Sequence, residues 1–164
     1  MQEYIAAEIW KKIAELNSAE ELVQLAGKQW ADGNWLMAAK CYQKAAKLGS
    51  TEGQYLLGEC YEVGMGVQQN DAYAVRWYIR AAAQRYGKAM CSLADYYYHG
   101  IVVKQNKKLA EALLLLSADR DCAAEKLQEW FGVEPGRTKG VAYHNSLQEA
   151  EQIMQRFIEA CRGK

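Results

Sequence analysis

The chain is expected to fold as an all-α solenoid of stacked helix–turn–helix repeats, and three observations lead there. The segment Leu57 to Ala83 (LGECYEVGMGVQQNDAYAVRWYIRAAA) returns thirty-six residues later as Leu93 to Asp119 (LADYYYHGIVVKQNKKLAEALLLLSAD). Leu57, Tyr61, Gly64, Val67, Asn70, Ala74 and Ala82 recur in phase as Leu93, Tyr97, Gly100, Val103, Asn106, Ala110 and Ala118. Within each copy the apolar residues step by three and four and are interrupted once by glycine, which is the signature of two helices joined by a turn. A fixed period of this size marks stacked units, each unable to bury its apolar face alone.

The elements follow in order along one expected domain, 1–164. Residues 1–17 form an N-terminal cap helix with Ile5, Ile9, Ile13 and Leu16 on one stripe. Residues 18–50 make a first, shorter unit: Ser18 and Glu21 have capping-box spacing, Gly33 turns the chain, and Ala38, Tyr42 and Ala45 pack. Residues 51–87 form the first full repeat. There Gly64 and Gly66 close one helix, Asn70 or Asp71 caps the next, and Ala74, Ala81 and Ala82 allow close approach beside Trp77 and Tyr78. Residues 88–120 form a degenerate second copy. Residues 121–132 read as a partial unit stopped by Gly132, Pro135, Gly136 and Gly140, residues 133–145 as a loop. Residues 146–164 read as a C-terminal cap helix that starts at Ser146 with Glu149 and carries Leu147, Ala150, Met154, Phe157, Ile158 and Cys161 on one face. This makes about nine helices and no strand.

The repeat resembles the Sel-one-like repeat, a subclass of the tetratricopeptide-like (TPR-like) repeats, whose signature is A-x-x-x-L-G-x-x-Y-x-x-G-x-G-V-x-x-D-x-x-x-A-x-x-W-Y-x-x-A-A. Gly53 stands at the first alanine, and Leu57, Gly58, Tyr61, Gly64, Gly66, Val67, Asp71 (or Asn70), Ala74, Trp77, Tyr78, Ala81 and Ala82 fill the rest. The second copy departs from it with Ala94, Val102, Lys107 and the pair Leu113 and Leu114, which predicts a looser turn in the same phase. Leu25 to Gly49 is similar to an ordinary tetratricopeptide unit. The resemblance covers roughly residues 20–132 and implies a right-handed solenoid with capping helices at both ends.

Composition narrows the function. Twenty basic and twenty acidic residues cancel and are scattered, so the positive field of a nucleic-acid binder is missing. No apolar run is long enough to span a bilayer, and the start MQEYIAAEIWKK has neither a basic n-region nor an apolar h-region. No membrane partner and a cytoplasmic location are therefore expected. The five cysteines, Cys41, Cys60, Cys91, Cys122 and Cys161, form no CxxC pair and no metal-ligand spacing. Some secreted Sel-one-like proteins staple each repeat with paired cysteines, whereas here each unit has one, so buried inert thiols are expected. The histidines His99 and His144 stand in no hydrolase or metalloprotease motif, and Cys91 and His99, two helical turns apart, would be roughly 12 Å from each other. No catalytic residue, cofactor or metal is expected.

Recognition remains. In this architecture the first helices of successive units line a concave surface, and positions that the packing signature leaves free can serve a partner. Those positions are Gln24 and Lys28, then Tyr55, Glu59 and Glu62, then Ser92, Asp95, Tyr98 and His99. Glu59 and Asp95 are equivalent in the repeat and, flanked by Tyr55 and Tyr98, suit a peptide or helix that carries Lys or Arg between apolar anchors. Trp10, Trp30, Trp77 and Trp130 read as core and Trp35, directly after the Gly33–Asn34 turn, as the exposed exception. Family resemblance implies a non-catalytic adaptor for a protein or peptide, in a monomer or a weakly self-associating chain. Small bacterial members of immunity type, which bind and occlude one cognate enzyme or toxin, supply the alternative.

Overall fold

In the computed structural model, residues 2–117, 120–133 and 141–162 are described, and they form nine α-helices and no strand. The helices are α1 (Gln2–Glu15), α2 (Ala19–Ala31), α3 (Trp35–Lys47), α4 (Thr51–Val63), α5 (Asp71–Ala83), α6 (Gly87–His99), α7 (Lys107–Leu116), α8 (Arg120–Phe131) and α9 (Val141–Arg162). They form a solenoid of helical repeats with two compact units, Met1–Trp77 and Tyr78–Lys164.

The first unit is built on α2, α3 and α4, with Leu22, Ala26, Ala38, Cys41, Tyr42, Ala45, Leu57 and Cys60 in its core and Ile13 of α1 buried against them. Local chemistry fixes where each helix begins. Ser18 Oγ accepts the Glu21 amide (3.3 Å) to start α2, and Ser50 Oγ accepts the Gly53 amide (3.0 Å) to start α4. The C-terminal carbonyls of α1 that its own turns leave free, those of Ile13 and Ala14, accept from Lys44 Nζ at 2.9 and 2.7 Å. Gly53 stands where the family pattern has alanine because α3 comes too close. A Cβ there would lie 2.9 Å from Ala45 Cβ and 3.1 Å from the Ala46 amide nitrogen. Beside it, buried Gln54 donates through Nε2 to the Ala46 carbonyl at 3.4 Å.

The turn after α4 is held by its own polar groups. Gly64 ends the helix in the left-handed conformation, its amide bonded to the Cys60 carbonyl (2.9 Å). Gln69 Nε2 donates to the Glu62 carbonyl (2.9 Å), and Asn70, rather than Asp71, caps α5 by accepting the Tyr73 amide at 3.1 Å. Gly66, at φ +72°, lets this turn lie directly on the Trp35 carbonyl of α3.

The second unit repeats the device. The Gly100 amide bonds the Tyr96 carbonyl (2.9 Å), Gln105 Nε2 the Tyr98 carbonyl (2.7 Å), and Asn106 caps α7 by accepting the Leu109 amide (3.1 Å). Val102 takes the backbone place of Gly66 at φ +63°, so the turn keeps its shape instead of loosening, and it does so with a β-branched residue in a region that glycine prefers. Leu113 and Leu114, which replace the Trp-Tyr pair, are fully buried. The core continues through Tyr78, Met90, Leu93, Tyr96, Leu109 and Ala110 to Leu127 on α8 and to Ala150, Met154 and Ile158 on α9. Arg85 and Glu151 join the α5–α6 turn to α9 through a 2.6 Å ion pair that is exposed and stabilises by no more than about 1 kcal/mol.

At the C-terminal end one expectation holds and two shift. Helix α8 ends at Phe131, where the Gly132 amide bonds the Gln128 carbonyl (3.0 Å). Helix α9 begins at Val141, so Ser146 lies inside the helix and the segment expected as loop is shorter, because Val141 to Asn145 contains no helix breaker. The expected placements of the Ile5 side chain, Ala118, Asp119, Pro135, Gly136, Gly140 and the Ser146 side chain fall outside the described residues.

Candidate protein-interaction sites

In the first unit the polar candidates lie on α2 and α4. Gln24 and Lys28 are exposed and line a shallow recess with Lys12, Leu16, Glu21 and Leu25. Tyr55, one turn before Glu59 on α4, donates its hydroxyl to Glu59 Oε1 at 2.7 Å, and both are half-buried. Glu62 is half-buried, and its backbone carbonyl already accepts from Gln69.

The same unit has a second surface that the sequence reading brought only partly into view. Trp10, Trp35 and Leu36 are 37%, 47% and 55% exposed and, with Met37, Asn34, Gly33 and Gly66, surround one open apolar recess. Trp35 is exposed as its place after the turn suggested. Trp10 is a correction: it does not enter the core, because the inward stripe of α1 is carried by Ile9, Ile13 and Leu16. Trp30 and Trp77 are half-buried against the core.

In the second unit Asp95, Tyr98 and His99 come together on α6, and α8 joins them with Trp130, expected as core, and with Lys126 and Phe131, which no sequence motif singled out. Lys126 pairs with Asp95, donates to the Cys91 carbonyl (3.5 Å) and places its ammonium 5.4 Å from the Trp130 ring centre. Tyr98 stacks on Trp130 with centroids 4.2 Å apart and planes 15° from parallel, and meets Phe131 edge-on at 5.6 Å. His99 is exposed and edge-on to Trp130 at 5.6 Å. Lys107 Nζ lies 5.0 Å from the Tyr98 ring centre. Ser92 is half-buried. Asp95 is therefore neutralised within its own unit, and Tyr98 has its ring engaged. The spacing of Lys126 and Trp130, one helical turn apart on α8, is the signal in the sequence that could have found the α8 half of this cluster.

The thiols are those of a core. Cys41, Cys60 and Cys91 are buried and none of the five is in a disulfide. Burial pushes Cys41 up to about 11 and Cys60, with a further contribution from nearby Glu59, up to about 12. The Cys91 thiol, 3.5 Å from Ser117 Oγ and beside Cys122, is also pushed upward, mainly by burial. An activated cysteine nucleophile has the opposite shift. Among the described residues no three His, Cys, Asp or Glu side chains cluster as a metal site would require, and no helix is long and apolar enough to cross a membrane.

The Sel1 repeat model matches residues 36–50, 51–86 and 87–122. In fission yeast, Schizosaccharomyces pombe, the chain is 39% identical over 74 residues to chitin synthase regulatory factor 3 and 33% identical over 82 residues to chitin synthase regulatory factor 2. Those segments are 44% and 49% of this chain but only 8% and 16% of the length of those relatives. Among solved structures it is similar to a protective antigen of uropathogenic Escherichia coli with an SLR fold (TM-score 0.69, 24% identity, 89% of this chain and 31% of the antigen). It is also similar to a Sel1 repeat protein from Oxalobacter formigenes (TM-score 0.63, 24% identity, 76% of this chain and 98% of the other). The two full matches cover α4 with α5 and α6 with α7 and, with the partial one, more than half of the residues: the chain belongs to the Sel1 repeat family, whose repeats commonly mediate protein–protein interaction.

Proposed function

We propose that this chain is a non-catalytic, cytoplasmic interaction module that holds a protein or peptide partner on its helical repeats. The observation that carries the reading is the recess of Trp10, Trp35 and Leu36 in the first unit. Large apolar side chains grouped in the open and rimmed by polar residues are a feature of protein-binding surfaces, and tryptophan is the side chain that most often dominates an interface. The free thiols support a reducing compartment.

The polar face of the first helices is the second element of the proposal: Gln24, Lys28, Tyr55, Glu59 and Glu62 in one unit, and Ser92, Asp95, Tyr98 and His99 in the other. Because Lys126 already pairs with Asp95, a basic partner would gain its attraction mainly from Glu59, which Tyr55 orients. Purified chain used as bait identifies the partner, and calorimetry against that partner then tests the surfaces separately. Trp35→Ala is expected to weaken binding by about 2 kcal/mol or more with the thermal melt unchanged. Glu59→Lys with Asp95→Lys is expected to weaken a basic partner further. Undiminished binding in both variants would sink the proposal. The alternative of a dedicated inhibitor would show one stoichiometric enzyme and a buried interface of roughly 1,600 Å² or more, against a smaller peptide-sized contact for an adaptor.

A further inference from the structure

We infer that the turn joining α6 to α7 is a separate docking surface that takes an acidic segment of a partner protein, an inference that rests on the interaction-module reading above. Ile101 and Val102 stand 47% and 55% exposed at the tip of this turn, and Lys104, Lys107 and Lys108, all exposed, follow within six residues of Val102. The repeat supplies an internal control, since the equivalent positions one repeat earlier are Gly66, Gln68, Asp71 and Ala72 for Val102, Lys104, Lys107 and Lys108.

Three of these replacements work against folding. Val102 holds a left-handed φ of +63° although it is β-branched, and its side chain projects into solvent, so packing does not offset the strain. Lys107 and Lys108 open α7, whose first turn has no acid, although the free amides there favour negative charge, as Asp71 provides at the start of α5. Local costs without a structural return collect at functional sites. Here they produce two aliphatic contacts edged by positive charge. Lys107 is steadied over Tyr98, which is itself stacked on Trp130. Glu111, one turn along α7, offsets part of Lys108, so Lys104 and Lys107 supply most of the attraction. An anionic membrane offers the same chemistry, but surface attachment takes clusters of roughly four to eight basic residues. An acidic protein segment with an apolar residue between its carboxylates fits Lys104, Lys107 and two aliphatic side chains better, Lys108 being shared with Glu111 and Glu149.

The test pans phage-displayed random dodecapeptides on the full chain at low salt and measures the selected peptides by fluorescence anisotropy. The expected winners carry Asp or Glu on both sides of an apolar residue. Their affinity falls at least about 10-fold in Lys104→Glu with Lys107→Glu. If that variant disturbs α7, Lys104→Ala with Lys107→Ala shows the same loss. Val102→Gly is expected to melt about 2–4 °C higher while binding several-fold more weakly, a combination that a purely structural role cannot give. Winners without acids, acidic winners indifferent to the lysine changes, no enrichment at all, or binding only to vesicles of 70:30 phosphatidylcholine and phosphatidylserine each overturn the inference. Selected peptides that lose affinity in Trp35→Ala but not in the turn variants sink this surface and leave the interaction-module reading standing. A chain that binds neither peptide nor protein sinks both.

Discussion

Gly66→Ala will lower the melting temperature by about 10 °C, more than the same change at Gly33 or Gly27. Two independent costs meet at the position. The backbone sits at φ +72°, where an L side chain costs about 1–2 kcal/mol, and the new Cβ would stand 2.1 Å from the Trp35 carbonyl oxygen and 2.5 Å from its carbon. That contact is with helix backbone, so no rotamer change relieves it, and the turn has to lift off α3 at a further cost of about 1–3 kcal/mol. At about 2–4 °C per kcal/mol for a chain of this size, the melt moves far outside experimental error. Two other glycines separate the terms. Gly33→Ala meets nothing within 4 Å but keeps a φ of +77°, and should lose only about 1–2 kcal/mol. Gly27→Ala, inside α2 with open space around it, should gain about 0.5–1 kcal/mol. A melt for Gly66→Ala no lower than that for Gly33→Ala would show that the turn does not rest on α3. The same variant should disturb the recess, because Gly66 and Trp35 both line it.

The repeat positions show how far sequence alone reaches. Leu57, Leu93, Ala74, Ala110 and Tyr78 are buried because a thirty-six-residue period leaves them no other place, and the caps at Ser18, Asn70 and Asn106 follow from one side chain acting on an amide three residues on. Such rules are local or periodic. What escaped them depends on distance between helices. Gly53 looks like a departure from the pattern until Ala45 is seen 2.9 Å from its missing Cβ. Val102 predicts a loosened turn, yet the hydrogen bonds of Gly100, Gln105 and Asn106 impose the first turn's shape on it. Trp10 reads as core by its type, while the stripe of α1 turns it outward.

The candidate site divides along the same line. Tyr55 and Glu59 are one helical turn apart, and their hydrogen bond could be anticipated from spacing. The pairing of Asp95 with Lys126 could not, since thirty-one residues and two turns separate them, and neither residue belongs to the repeat signature. An equivalence between Glu59 and Asp95 that holds in sequence is thus broken in chemistry. One carboxylate is oriented by a tyrosine and the other is neutralised by a lysine. The repeat fixes backbone and core, and the surface is specified residue by residue.

The steepest response of the whole molecule should be to alkali, with helicity lost between about pH 9 and 12 in the presence of a reductant. Unfolded thiols ionise near their ordinary value of 9.0, whereas burial holds Cys41 at about 11 and Cys60 at about 12. The unfolded chain therefore releases protons that the folded chain keeps. Stability is fully present below pH 9 and falls as pH rises through the folded values. Each buried thiol removes about 1.4 kcal/mol per pH unit above 9, so Cys41 and Cys60 together remove about 5 kcal/mol by pH 11, the lower end of a domain's whole stability. Cys91 adds in the same direction, and so does Tyr42, pushed from 10.0 to about 12 by burial and the nearby ionisable groups. Urea titrations from pH 8 to 11, read by circular dichroism, give the slope of stability against pH. Cys60→Ala should lower stability at pH 7 through a lost buried sulfur, yet make the slope shallower by about 1.4 kcal/mol per unit, since one titrating group has gone. An unchanged slope would show that Cys60 ionises as freely in the fold as outside it and would overturn the prediction; a shallower slope would make Cys60 a packing residue whose ionisation is suppressed by its place in the core.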